Sequence, residues 1–491
     1  MEDYVYKTTP YQHQDQVLRA SWQKINWAFF MEMGTGKSKV CIDTAAMLYE
    51  HGKIDTFVVV APKGVYRNWA NIEIPAHMPD RVMGDRTTAI WRPNPTKATR
   101  QELLALMQPA EGFRILVMNV EALSTKKGQK FLEAVLKASR VLLTVDESTA
   151  IKSPKASRTK ALIKVSSLAT YRRILTGFPV TQSPLDLWAQ CRFMDKSLLG
   201  DCGDNFFQFQ YRYAVFNRRN VGSHSFNQIV GYRNLEKLSV LLKTFSSRVM
   251  KEDCLDLPSK IYVQRNVALS KDQDRIYHDL KEYALAHIED AEFMTATNVM
   301  TQLLRMQQVL SGHTKSDSGE VIDIEDNRIA ELMDCLKELD GKAIIWSRFR
   351  YDVKRIAAAL AKEYGPQSVV TYFGDTSDDE RSDAIERFQG SLGLRGLQHS
   401  EARFFVGNPQ TGGYGITLTA AKTVIYFANS FDLAVRMQSE DRAHRIGQKE
   451  HVTYIDLIAE GTIDEQIVKA LRDKMDIASV VMGEKLKDWL R

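Results

Sequence analysis

Short apolar runs rich in β-branched residues recur along this chain, separated by segments long enough for helices. In the first half they are Trp27–Met31, Phe57–Val60, Ile115–Met118, Val141–Val145 and Arg173–Leu175. In the second half they are Ala343–Trp346, Ser368–Tyr372, Phe404–Val406, Val424–Phe427 and Val452–Leu457. A strand apolar at successive positions is buried on both faces, and such strands belong to parallel sheets covered by helices. Helical patterns such as Asp352–Tyr364 stand between the runs. The chain therefore reads as α/β, with βαβ units gathered into two parallel sheets. Between the two sets, Asp201–Ser247 and Leu269–Gly312 read as mostly helical and irregular. Lys315–Asp326 reads as a polar exposed loop, Gln389–Glu401 as a Gly-rich loop, and Ile463–Leu490 as an amphipathic helical tail.

Composition narrows the class without choosing a function. The 491 residues are 44% hydrophobic and 26% charged, which excludes a disordered, collagen-like or disulfide-stapled chain. At roughly 150 residues per domain, that length holds about three domains' worth of chain. Lys and Arg number 66 against 61 Asp and Glu, a net charge of only +5. Residues 1–255 hold 36 basic and 23 acidic side chains, whereas 256–491 hold 30 and 38. A basic first half suits a polyanion, although an unevenly charged solvated surface gives the same count. On this balance the first half is expected to hold a polyanion more firmly than the second.

Five scattered cysteines with no CxxC pair read as reduced thiols. The start, MEDYVYKTTP, has no apolar core of a signal peptide. The longest uncharged stretch, Phe404–Ala421, is rich in Gly, Thr, Asn and Gln and too polar to span a bilayer as a helix. The expectation is a soluble, cytoplasmic protein with no membrane partner.

Three motifs carry chemistry. Gly34-Thr35-Gly36-Lys37-Ser38 follows a strand and precedes a helical pattern beginning near Lys39. Glycines there let backbone N–H groups approach phosphate oxygens, Lys37 neutralises their charge, and the Ser38 hydroxyl suits Mg²⁺. The full GxxxxGK[ST] pattern is not met, because Met31 stands at its first position. Asp146-Glu147 closes the run VLLTV, which can set Asp146 on Mg²⁺ and Glu147 on an attacking water. A helix N-cap explains such a pair equally well. Gln438-x-x-Asp441-Arg442-Ala443-His444-Arg445-Ile446-Gly447-Gln448 places Arg442 and Arg445 three apart, on one face if the segment is helical. Guanidinium groups so placed can stabilise charge on a transferring phosphoryl group.

Together these residues resemble the Swi/Snf-type ATPases of helicase superfamily two, in their compact bacterial or bacteriophage-like form, over almost the whole chain. Pro10-Tyr11-Gln12 is similar to an adenine-reading Q motif, and Glu32–Ser38 to EMGxGKT. Val59–Pro62 with Asn68-Trp69 resembles motif Ia, the run Asp146–Ser153 resembles DESxxIKN, and Leu175–Pro179 resembles LTGTP. Trp346–Phe349, Gly374 with Arg381, Gly412–Ala421, the HRIGQ ending and Gly461–Glu465 also fit. Phe178 departs from the family Thr, and Thr181-Gln182 from Gln-Asn.

The resemblance implies two RecA-like lobes, 1–255 and 256–462, with helical protrusions near 190–247 and 269–312 and C-terminal brace helices over 463–491. It implies ATP and Mg²⁺ as cofactors, with Ser38 and Asp146 holding the metal. Tyr11, Gln12, Gly34, Thr35, Gly36, Lys37 and Ser38 would bind the nucleotide, while Lys37, Asp146, Glu147, Gln438, Arg442 and Arg445 would carry catalysis. Lys63, Asn119, Lys152, Ser347, Arg348 and Thr411 are the nucleic-acid contacts it implies. The expected function is ATP-dependent translocation on double-stranded DNA by a monomeric motor that remodels DNA or its protein complexes. A strand-separating or branch-migrating helicase on branched or forked DNA is the alternative. A non-enzymatic DNA-binding scaffold is disfavoured because every catalytic group is present. With no stretch left over for an accessory domain, the chain is expected to be a bare motor.

Overall fold

The computed structural model describes residues 4–84, 86–108, 112–221, 224–289, 296–316, 318–390, 402–412 and 416–484. Contacts divide the chain into two compact units. The first comprises Met1–Val215, Ile229–Asp256 and Asp476–Leu486, and the second Phe216–Gln228, Leu257–Met475 and Lys487–Arg491.

The first unit is built on β1 (Asn26–Met31), β2 (Thr56–Ala61), β3 (Arg86–Ile90), β4 (Phe113–Asn119), β5 (Val141–Asp146) and β6 (Tyr171–Leu175). A hairpin, β7 (Ala214–Val221) and β8 (His224–Tyr232), precedes the last strand, β9 (Ser246–Val249). The sheet order is β3-β4-β2-β5-β6-β1-β9, with every neighbouring pair parallel. β2 and β5 are buried at every residue, as their unbroken apolar runs require. Parallel strands bring all their carboxyl ends to one edge, where open α/β sheets bind ligands.

One buried charge in this unit is structural. Arg173 lies on β6 with no exposed surface. Its guanidinium donates to the carbonyls of Ser21 at 2.9 Å, Lys24 at 2.7 Å and Ile25 at 3.1 Å, closing the end of helix α1 (Gln12–Ser21). A cation there satisfies carbonyls that the helix leaves without partners.

The second unit carries β10 (Lys260–Asn266), a two-stranded pair of β11 (His313–Lys315) and β12 (Val321–Asp323), then β13 (Lys342–Ser347), β14 (Val369–Tyr372), β15 (Phe404–Gly407), β16 (Ala421–Ala428) and β17 (Val452–Ile458). Its main sheet runs β10-β17-β16-β13-β15-β14, again parallel. The period of two is visible in its cores: Ile345, Val406, Ile425 and Leu457 pack on one face, Ile344, Phe405, Val424 and Tyr454 on the other. Both sheets are parallel and flanked by helices, one in each unit.

Several expectations change here. Asp201–Ser247 is not mostly helical, because it contains the β7–β8 hairpin and the start of β9. Lys315–Asp326 is not a plain loop, since β12 pairs back on β11. β14 begins at Val369, Ser368 ending a 3₁₀ turn. Leu269–Gly312 holds two long helices, Lys271–Glu289 and Ala296–Leu310. The tail forms one helix over Ile463–Met482. Residues 391–401 of the Gly-rich loop and 485–491 of the tail lie outside the described residues. Among the described residues no helix is long and apolar enough to cross a membrane.

Candidate nucleotide site and polar contact loops

From the end of β1 the chain turns through Glu32–Gly36 into helix α2 (Lys37–Glu50). Gly34 and Gly36 have φ of 84° and 90°, the left-handed region that favours glycine. The turn is tied internally by the Thr35 hydroxyl, which donates to the Glu32 carbonyl at 2.8 Å. It is tied to α1 by Gln14 Nε2, which donates to the Thr35 carbonyl at 3.1 Å, and by His13 Nε2 2.7 Å from the same oxygen. No side chain caps α2, so its first-turn N–H groups stand at the loop without capping partners. An uncapped helix start behind a glycine turn is a ready anion site.

The carboxylate pair emerges from β5 in the same unit. Lys37 Nζ lies 4.0 Å from Glu147 Oε1. Asp146 Oδ2 accepts from Trp69 Nε1 at 2.8 Å, and Oδ1 accepts from the Glu147 backbone at 3.0 Å. Burial pushes the Asp146 carboxyl above the usual carboxylate range, opposed by the Lys37 charge and these two hydrogen bonds. Glu147 sits at φ 46°, ψ 61°, a left-handed conformation that costs a non-glycine residue roughly 1–3 kcal/mol. The short helix that follows, Ser148–Ile151, receives no side-chain cap, so the N-cap explanation of the pair is not realised. Thr176, just past β6, donates to Glu147 Oε2 at 3.5 Å. The ends of β1, β5 and β6 thus bring Lys37, Asp146, Glu147 and Thr176 together. Tyr11 caps α1 at 53% exposure, its ring stacked on His13 at 5.8 Å, and Gln12 is exposed.

In the second unit, Gln438 lies on the helix Leu433–Glu440. That helix stops at Glu440, so Arg442 and Arg445 do not share a helical face but sit in the turns after it. They still converge: Arg442 Nη1 donates to the Ile416 carbonyl at 3.2 Å and Arg445 Nη1 to the same oxygen at 3.3 Å. Arg442 is buried and also donates to the Gln438 carbonyl at 2.9 Å, whereas Arg445 is half-buried.

The six polar contact candidates fare differently. Lys63 is exposed, and its backbone N–H donates to Glu121 Oε1 at 3.4 Å. Asn119 donates to the other oxygen of Glu121 at 3.1 Å, so one carboxylate holds both loops. Lys152 donates to the Thr181 hydroxyl at 2.6 Å, linking the segment after the carboxylate pair to the one after β6. Ser347 is fully buried and donates to Asp352 at 2.6 Å. A hydroxyl so enclosed is not presented to a phosphate backbone in this structure. Arg348 donates to the Gln307 side chain, and burial lowers its affinity for its proton. Asn408 donates to the Arg348 carbonyl at 2.6 Å and accepts from the Thr411 backbone at 3.1 Å, bringing those two loops together.

A family model described as the SNF2-related domain matches residues 12–315, and one described as the helicase conserved C-terminal domain matches residues 327–447. The chain belongs to the SNF2-related family. It is 25% identical over 461 residues to "Uncharacterized ATP-dependent helicase MG018" of Mycoplasma genitalium, covering 92% of this chain and 40% of that protein. It is 23% identical over 488 residues to "Putative ATP-dependent helicase/translocase YwqA" of Bacillus subtilis, covering 95% and 48%. The SNF2-related chain thus spans less than half the length of either relative. A solved structure titled "Sulfolobus solfataricus SWI2/SNF2 ATPase core in complex with dsDNA" is 22% identical, covering 99% of this chain and 95% of that one, with a TM-score of 0.43.

Reading motifs alone missed several residues of this SNF2-related site. Gln14, two positions beyond the glutamine of the Q-like motif, is the one that reaches the phosphate loop. Trp69 belongs to the motif Ia pattern, and nothing in that pattern signals that its indole holds Asp146. Lys251 donates its backbone N–H to Glu32 at 2.7 Å, and its Cε lies 3.9 Å from where a Cβ on Gly34 would stand. Glu121 and Asn408 carry no motif signal at all. Gly413, Tyr414 and Gly415 of the motif V run lie outside the described residues.

Proposed function

We propose that this SNF2-related chain is an ATP-driven motor that translocates on double-stranded DNA and remodels DNA or DNA–protein complexes. The observation that carries the reading is the first-unit cluster: a glycine turn into an uncapped helix, with Lys37 4.0 Å from Glu147 and Asp146 buried beside it.

The residues present fit a nucleotide carrying Mg²⁺. No group of three or more His, Cys, Asp or Glu among the described residues is placed to hold a metal. A magnesium ion brought by phosphates keeps phosphate and water ligands and needs only one or two protein oxygens. Ser38 and Asp146 would supply them, and the bound ion would neutralise charge on the phosphates. Gly34, Thr35 and Gly36 shape the turn that aims the α2 N–H groups, and Lys37 adds a point charge to them. Glu147 is the group we assign to orient water and accept its proton. Its backbone strain and its contacts with Lys37 and Thr176 fix the carboxylate in place. In the second unit, Arg445 is the more accessible arginine and takes the role of stabilising phosphoryl charge. Arg442, tied to two carbonyls, positions that turn. Lys63, Asn119, Lys152, Arg348 and Thr411 remain the proposed phosphate contacts, since a sequence-tolerant motor grips backbone, not bases.

A triplex-displacement assay tests the reading. The chain with ATP should release a third strand from blunt duplex without melting the duplex, and Glu147→Gln should not. No displacement by the native chain would overturn translocation.

A further inference from the structure

The helix Phe206–Tyr213 has two aromatic faces. Phe209 and Tyr213 are buried, with ring centroids 4.6 Å apart. Phe207 and Tyr211, also four residues apart, are 74% and 71% exposed. Rings at this spacing share one side of a helix. This outer face is held in place. Phe206 packs edge-on to Trp188 at 5.5 Å and lies 6.2 Å from Phe207. Arg233, just past β8, sets its guanidinium 5.4 Å from the Tyr211 ring centroid and donates to the Tyr211 carbonyl at 2.6 Å. The Arg233 backbone donates to Tyr213 at 2.9 Å, and Asn234 donates to the Arg212 carbonyl at 2.9 Å.

Charge says what the face accepts. Between Asn205 and Leu235 the sequence carries Arg212, Arg218, Arg219 and Arg233 and not one acidic residue, in a chain with 61 of them. Exposed rings with the Arg233 guanidinium beside them, and with the neighbouring carboxylate of Asp204 held by Arg192 and Lys196, match a nucleic-acid strand. Duplex DNA hides its base faces, so only an unpaired strand can use Phe207 and Tyr211 as stacking surfaces.

We propose that Phe207, Tyr211 and Arg233 form a platform for an unpaired DNA strand, which directs the motor to duplex bearing a single-stranded branch. The inference rests on the DNA-motor reading for its biological sense, but it is tested by binding alone. Fluorescence anisotropy without nucleotide compares a blunt duplex, the same duplex with an oligo-dT arm, and oligo-dT. The native chain should bind the armed duplex more tightly than the blunt one. The double variant Phe207→Ala/Tyr211→Ala should lose that gain by roughly 30-fold, the low end for two stacked bases. Its blunt-duplex affinity and melting temperature should not change, and Phe207→Trp/Tyr211→Trp should keep the gain. Equal native affinity for armed and blunt duplex, or a gain that survives the alanines, would overturn the platform. So would an equal loss on blunt duplex, which would make the rings part of a general grip. Failure of the motor reading shows differently, as hydrolysis that no DNA stimulates.

Discussion

A side chain at Gly36 would displace the Gln14 amide. At φ 90° an added Cβ would stand 2.1 Å from Gln14 Nε2, the atom that ties α1 to the phosphate loop. Gly36→Ala is therefore expected to lower stability by at least about 1 kcal/mol, the penalty of a left-handed alanine, and to abolish nucleotide binding. Thermal melting and a nucleotide titration measure both. Glu147→Gln separates binding from chemistry. It should keep nucleotide affinity and slow hydrolysis on the order of 10²–10⁴-fold in single-turnover assays, because only the proton acceptor is lost. Loss of binding instead would make Glu147 a structural residue. The chemistry-bearing residues were legible as short motifs. Their partners were not, because Gln14, Trp69 and Glu121 earn their place by three-dimensional proximity and have no fixed spacing to the motif.

Strands buried on both faces announced themselves as apolar runs, and three of the four strands at the sheet edges did not; only β14 was legible. β3 and β9 close the two edges of the first sheet, and β10 closes one edge of the second. Their sequences, RTTAI, SSRV and KIYVQRN, mix polar residues because one side of an edge strand needs no neighbour. The β7–β8 hairpin escaped for a related reason: it is largely exposed and carries no core-facing stripe. Between elements, buried charge does the joining. Arg436 donates to Asp456 at 2.5 and 3.1 Å and to Glu440 at 2.9 Å, and Glu440 accepts from Lys260 at 3.0 Å and Tyr262 at 2.8 Å. Removing Arg436 takes the guanidinium from both buried carboxylates, leaving Asp456 with the Asn429 amide and Glu440 with Lys260 and Tyr262, so Arg436→Ala should destabilise the second unit by about 3–5 kcal/mol in denaturant titrations. Burial alone would raise the Glu440 carboxyl, but Lys260 and Arg436 outweigh it and hold the group below its ordinary 4.5. Its ionisation therefore stabilises the fold above pH 4.5, and that contribution is lost as pH falls through the lower folded value. Stability of the native chain should drop along that acid limb, and Glu440→Gln should flatten it.

At the scale of the whole chain, the small net charge of +5 conceals a first half with 36 basic against 23 acidic residues. Binding to DNA should weaken linearly in log salt, and Lys63→Ala should reduce that slope by about one, as one lost phosphate contact requires. Both DNA proposals depend on the first-unit cluster acting as a DNA-coupled ATPase. Steady-state ATP hydrolysis with blunt duplex, single-stranded DNA and RNA measures that coupling directly. Hydrolysis should rise with duplex DNA, rise less with RNA, and vanish in Lys37→Ala under every condition. A rate indifferent to duplex DNA, or a Lys37→Ala protein as active as the native one, would contradict it.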